Sequence, residues 1–166
     1  MENELENNNK FNQIKNIFYR YKKIFFSSLI IILIGFGGYI YYKYSELKNY
    51  EQMSEKFVKA GIMLTMKKND KAKEIYKEII INKNKFYSPL SLNYIIDNKL
   101  ETKIEILKLF PYIEALRLDN EEKNLIKLKK ALILIDLNKA EEGEKLLNEI
   151  ISTNSIWKNT ASDILN

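Results

Sequence analysis

The sequence predicts an all-α chain: one N-terminal transmembrane helix, then an antiparallel array of about three helix pairs with a terminal capping helix. Three observations predict it. A run without a single charge, "IFFSSLIIILIGFGGYIYY" (Ile24–Tyr42), stands near the start. Beyond Lys43, apolar residues recur at helical spacing, strand-like alternation is absent, and only Pro89 and Pro111 interrupt. Candidate helix starts near Phe86, Asp119/Asn120 and Asn154 lie about 34 residues apart.

The first segment is 1–23, a cytoplasmic tail and juxtamembrane helix. "ENELENNNK" is polar and lacks apolar spacing, which reads as a short disordered tail. Phe11, Ile14, Phe18 and Tyr21 then recur at helical intervals among basic residues, the pattern of an amphipathic helix on a membrane surface or of a longer helix leading into the span.

The second segment is the span, 24–42. As a helix of 1.5 Å rise it would be about 28 Å long, close to the roughly 30 Å hydrocarbon thickness of a bilayer. Eleven of its residues are Ile, Leu or Phe, which together favour insertion by about 3 to 7 kcal/mol. Tyr39, Tyr41 and Tyr42 stand where an interfacial aromatic belt belongs. A buried core helix is the soluble alternative, but the remaining chain is too small and polar to wrap a helix that is apolar all round. A cleaved signal peptide is the other. Gly35-Phe36-Gly37 is a small-x-small site, yet no Ala stands there and the apolar run continues past it, so an uncleaved signal anchor is the reading. Lys10, Lys15, Arg20, Lys22 and Lys23 precede the span, whereas Lys43, Lys48 and Lys56 are spread among Glu46, Glu51 and Glu55. The positive-inside rule therefore expects a single-pass protein with a cytoplasmic N-terminus and everything after Lys43 outside the cytoplasm. Ser28 and Gly35, seven apart, with Gly37 and Gly38, form a candidate close-packing face for another helix in the membrane.

The third segment is 46–166, one small domain. Met53, Phe57, Ala60, Gly61 and Leu64 give a first apolar face; Ala72, Ile75, Tyr76, Ile79 and Ile80 give a second after "KKND". Ser88-Pro89 reads as N-cap and first helical residue before Leu90, Leu92, Ile95 and Ile96. Asn98 with Glu101, Asp119 with Glu122, and Asn138 with Glu141 read as capping boxes. They precede Ile104, Leu107 and Phe110; Leu125, Leu128, Ala131, Leu132 and Ile135; and Leu146, Leu147, Ile150 and Ile151. Pro111 is expected to kink or end its helix. Asn154-Ser155 is expected to cap a last helix carrying Ile156, Trp157, Ala161 and Leu165, with Trp157 packed as a structural cap on the Leu146–Ile151 helix.

Two second helices resemble one another. "AKEIYKEII" (Ala72–Ile80) matches "GEKLLNEII" (Gly143–Ile151), and the turn "IIDNK" (Ile95–Lys99) matches "LIDLNK" (Leu134–Lys139). A helix-turn-helix period of about 34 residues is the tetratricopeptide signature. The small residue, Ala72 or Gly143, belongs where two helices of a pair approach most closely; Lys103 stands at the matching place in the middle, degenerate pair. A plain array of helical hairpins is the alternative.

Absences narrow the function. The chain has no Cys and no His, which removes disulfides, thiol chemistry, any Ser-His triad and nearly all zinc sites. No Gly-rich phosphate loop is present. The net charge of +5 is diluted through mixed Lys/Glu faces, which read as solvated helical surfaces. No catalytic residue, cofactor, metal, nucleic acid or small-molecule substrate is therefore expected; the partners expected are the lipid bilayer and other proteins.

The layout resembles the bacterial YfgM-type family, the tetratricopeptide-repeat-like ancillary subunits of the Sec translocon. The resemblance rests on "ENELENNN", "IKNIFYRYKK", "LIIILIGFGGYIYYKY", the repeats from Glu46 onward, and "NSIWKNTASDIL" (Asn154–Leu165), where Ile156 takes the place of a Pro in an Asn-Pro-Trp helix. It covers nearly the whole chain. The chain stops after the Trp157 helix, where longer relatives continue with another repeat, which leaves the extent of a partner groove open. The resemblance implies an inner-membrane protein whose periplasmic repeat domain binds the translocon and periplasmic chaperones. The surface expected to bind is made by stacked first helices, Leu90–Asp97, Lys123–Lys130 and the exposed side of Leu47–Met66. A structural or assembly subunit of another inner-membrane complex is the alternative.

Overall fold

A computed structural model describes the backbone of residues 2–166 and the side chains of residues 15, 16, 19–24 and 26–166. The order of elements is α1 (Glu2–Thr65), α2 (Asn69–Asn82), α3 (Tyr87–Asp97), α4 (Lys103–Leu107), α5 (Phe110–Glu114), α6 (Asn120–Asp136), α7 (Ala140–Ile151) and α8 (Lys158–Leu165). No strand occurs among the described residues. The chain divides into two compact units, Met1–Lys48 and Asn49–Asn166. The sequence readings at Phe11, Ile14 and Phe18 concern side chains outside the described residues.

The first unit lies within α1. Ile24 and every residue from Phe26 to Tyr42 are exposed. The apolar part of this helix reaches a mean hydropathy of 2.1, and none of it is buried. It is long and apolar enough to cross a membrane. Ser27 Oγ donates to the Ile24 carbonyl at 2.9 Å, so its hydroxyl is satisfied by its own helix without a solvent partner.

The second unit begins at Asn49 and holds two apolar cores. The larger gathers Met53 and Ala60 of α1, Ala72, Tyr76, Ile79 and Ile80 of α2, Leu92 and Ile95 of α3, Ile106, Phe110 and Ile113 of α4 and α5, and Ile126 and Ile133 of α6. The smaller holds Leu128 and Ala131 of α6, Leu147 and Ile150 of α7, and Ala161 of α8. Helix α6 thus serves both cores from opposite sides. This is why its burial departs from a single stripe: Ile126, Ile133 and Leu134 are buried, whereas Leu132, expected inside, is 42% exposed.

Helices that follow one another in sequence pack together, with one break. α2 packs on α3, α6 on α7, and α7 on α8. In the middle pair, two five-residue helices, α4 and α5, take the place of a single second helix. Pro111 explains the break. It has no N–H for the Leu107 carbonyl and its ring crowds that carbonyl, so α4 stops at Leu107. Pro111 then sits in the first turn of α5, so it both ends one helix, as the sequence suggested, and starts the next.

The caps correct several expectations. The Asp119–Glu122 box is present: Glu122 N donates to Asp119 Oδ1 at 2.8 Å and Asp119 N to Glu122 Oε2 at 3.1 Å. The Asn98–Glu101 box is not. Asn98 ends α3, its Nδ2 donating to the Tyr94 carbonyl, and Thr102 caps α4 by accepting from Glu105 N at 3.3 Å. Asn138 likewise does not start α7; it has a left-handed φ of 60° just past α6. Ser88 is buried inside α3 and donates to the Ile79 carbonyl at 2.8 Å. Asn84 does the capping there, its Oδ1 accepting from Phe86 N and Tyr87 N. Before α8, Ser155 Oγ accepts from Trp157 N at 3.2 Å, and Ile156 is 73% exposed ahead of the helix, not on its apolar face. Asparagine serves both as an N-cap and as a left-handed C-cap residue, so its position alone does not choose between the two.

The close approach expected at Gly143 is present. A Cβ there would lie 2.7 Å from Ile135 Cγ1 and 2.9 Å from the Ala131 carbonyl. Trp157 is half-buried and packs with Leu146 and Ile151 on the smaller core.

Candidate functional site

Helix α3, the turn after it, α4 and α6 bound a cleft of about 710 Å³. Its apolar wall comes from Ile96, Ile106, Leu132 and Ile133, and its rim from Asp97, Lys99, Glu101, Lys103, Lys129 and Asp136. The cleft exists because α4 is short: two helices of five residues cover less of α6 than one long helix would. Leu132 is left facing solvent beside it.

The rim carries charges of both signs, held by ion pairs and a hydrogen bond. Lys103 Nζ lies 2.6 Å from Asp136 Oδ2, and Lys129 Nζ donates to Asn93 Oδ1 at 2.6 Å. Glu101 accepts from Lys77 Nζ at 2.6 Å and lies 4.0 Å from Lys73. The Lys77 hydrogen bond, helped by the Thr102 backbone N–H, holds the Glu101 carboxyl below the usual carboxylate range. A cleft with an apolar wall and alternating charges at its mouth suits an amphipathic peptide segment, whose backbone and charged side chains would find partners of both kinds. Among the described residues no three carboxylates gather where they could hold a metal ion.

A second surface is aromatic. The ring of Tyr50 lies 5.0 Å from that of Tyr87 and 6.2 Å from that of Phe86. Phe57 stands edge-on to Tyr94 at 5.1 Å and to Tyr76 at 5.5 Å. Phe86 is 57% exposed, while Tyr76 is wholly buried. Burial, with a smaller contribution from Tyr94, pushes the Tyr76 phenol up to about 12. Ser54 and Tyr50 both hydrogen-bond Tyr87 and draw its phenol down. Beside this cluster, Val58 and Ile62 of α1 are exposed one turn apart on one helix face, and Met66 just past its end is exposed too.

Three hydrogen bonds join residues a similar distance apart along the chain. Asn84 Nδ2 donates to Asn49 Oδ1, 35 residues back. Lys129 reaches Asn93, 36 residues back, and Ser155 Oγ donates to Glu121 Oε2, 34 residues back, at 2.7 Å.

Of the residues the sequence put forward, Ser28, Gly35, Gly37 and Gly38 lie in the exposed apolar part of α1, and a Cβ at each glycine would meet nothing within 4 Å. At 100° per residue Ser28 and Gly35 share a face and Gly37 falls on the opposite side, so the four do not form one patch. Of the expected binding surface, Ile96, Asp97 and Lys129 reach the cleft. Glu101, Lys103, Leu132 and Asp136 were missed.

No protein-family model matches this chain, and neither the curated proteins nor the solved structures compared with it give a match.

Proposed function

We propose that this chain is a membrane-anchored protein-interaction module. Its apolar segment 24–42 crosses the bilayer with the N-terminus in the cytoplasm, and the 46–166 domain binds protein partners on the other side. The observation that carries the reading is the exposure of that helical segment at Ile24 and from Phe26 to Tyr42: its exposed Ile, Leu, Phe and Tyr side chains, without protein cover, need lipid around them. Hydrogen bonds at offsets of 34 to 36 residues support a tetratricopeptide-like array. In such an array the cleft beside Leu132 is the place for a partner segment. The resemblance of the layout to YfgM-type proteins points to the Sec translocon or periplasmic chaperones as the partner class, in a bacterial inner membrane.

A structural or assembly subunit of another inner-membrane complex is the second reading. The open surface at Gly35 and Gly38 favours it, because missing side chains let a neighbouring helix approach closely.

Two experiments test the reading. A reporter fused after Asn166 should be active only outside the cytoplasm; cytoplasmic activity overturns the orientation. Partners should then be identified from the full-length protein, from residues 46–166 released without the span, and from a version whose 24–42 is replaced by an unrelated span of equal length. Translocon or chaperone subunits recovered with the full-length and span-swapped forms support the first reading. Recovery of a different complex, lost on span replacement, supports the second.

A further inference from the structure

We propose that the N-terminal flank of the apolar segment carries a binding site for the phosphate headgroup of an anionic phospholipid, made by Lys15, Lys22 and Lys23 around Tyr19. The proposal rests on the membrane reading above and adds a ligand of stated chemistry to it. Lys15, Tyr19, Lys22 and Lys23 stand at i, i+4, i+7 and i+8 of α1, which places them on one face of the helix. Phe26, at i+11, continues the same face into the apolar segment. All five are exposed. The Lys22 ammonium lies over the Tyr19 ring, 5.8 Å from its centroid, so the ring steadies the cation and gives the site an amphipathic wall at the depth where headgroups meet acyl chains. No Asp or Glu occurs between Glu6 and Glu46. The helix therefore supplies no counter-charge of its own near these lysines. At the far end of the apolar segment the arrangement differs, since Lys43 pairs with Glu46 at 3.0 Å. Among the described residues, the lysines of the N-terminal flank have no acidic side chain beside them in the sequence of the helix, and a cluster of cations beside a span attracts anionic lipid.

The test uses the full-length protein reconstituted into vesicles of phosphatidylcholine with about one third phosphatidylglycerol. Flotation with the vesicles is measured first. Spin-labelled phosphatidylglycerol and phosphatidylcholine then report which lipid is motionally restricted at the protein surface. The expected result is restricted phosphatidylglycerol in about five- to tenfold preference over phosphatidylcholine at low salt, falling as salt screens the lysines. The preference should fall to near one in a K15Q/K22Q/K23Q variant and persist in a K48Q/K59Q variant, which removes exposed lysines beyond the span. Protein that floats but shows no lipid preference overturns the site while leaving the membrane reading standing. Protein that does not float overturns both. A preference equal in parent and triple variant overturns the assignment to these lysines. If inorganic phosphate abolishes the preference when chloride at equal ionic strength does not, the site belongs to free phosphate and the lipid assignment falls.

Discussion

Two glycines and one tyrosine show how much single positions decide. Gly61 and Gly143 look alike in sequence, each an isolated glycine in a helix. A Cβ at Gly61 would meet only the Tyr76 hydroxyl, at 3.9 Å, an ordinary contact. Gly61→Ala should therefore stabilise the domain by about 0.5–1 kcal/mol through helix propensity and the reduced freedom of the unfolded chain. At Gly143 the same methyl would meet the Ala131 carbonyl at 2.9 Å, backbone that cannot swing aside. Gly143→Ala should destabilise by about 1–3 kcal/mol, as overpacking does. Urea melts of the two variants with opposite shifts in midpoint would bear this out; shifts of the same sign would refute the close approach of α6 and α7. Tyr76 buries a hydroxyl with no hydrogen-bond partner. Tyr76→Phe removes that unsatisfied group and should leave stability unchanged or raise it by about 1 kcal/mol. Its phenol is raised from 10.0 to about 12 in the folded state. Above pH 10 the unfolded chain releases this proton while the folded chain keeps it, so stability should fall as pH rises from about 10 toward 12. That alkaline slope should be shallower in Tyr76→Phe; an unchanged slope would mean that Tyr76 ionises normally.

At the scale of the helix, what the sequence made legible was burial periodicity, and what it hid was helix ends. Met53 and Ala60, Tyr76 and Ile79, and Leu147 and Ile150 all face a core as their spacing suggests. The ends were harder because glycine, the usual marker of a helix stop, is missing from them. Lys67, Lys99 and Asn138 take left-handed φ values of 57°, 50° and 60°. At Lys67 the chain closes α1 with Lys67 N on the Leu64 carbonyl and Lys68 N on the Met63 carbonyl; the turns after α3 and α6 repeat this pair of bonds. These are Schellman ends made without glycine, and no composition rule picks a lysine for that place. The cleft was hidden for another reason: α4 is cut short by local signals, the Thr102 cap and Pro111, but which surface of α6 that uncovers depends on tertiary packing. Trp157 was read as the cap of the array and does pack on the smaller core, but only half-buried. Trp157→Ala should therefore cost about 2–3 kcal/mol, short of the roughly 3–5 kcal/mol of a fully buried aromatic. A thermal melt that moves by less than a degree or two would mean that the indole is not holding α8.

Taken whole, the chain divides its chemistry between an apolar exposed helix segment and a domain whose surface is laced with mixed charges. Lys127 with Glu149, Lys130 with Glu114 and Lys56 with Glu78 each link neighbouring helices, yet such exposed pairs contribute little stability singly. Most of the holding falls to the two cores, and these are unequal. The smaller is built from five buried side chains, two of them alanines; the larger draws on α1 through α6. Since α6 has a flank in each, its other flank stays anchored when the smaller core loosens. The last two helices, α7 and α8, are thus expected to open ahead of the rest, with their own opening free energy. Amide protons of α7 and α8 should exchange with deuterium well before those of α2 and α3, with α6 keeping the slower pace of the larger core. Exchange at one common rate across all of them would mean a single unit. Under the proposed role this gives the array a soft end: the helix pair farthest along the chain from the anchor can come apart and re-form around a client while the rest of the domain keeps its shape.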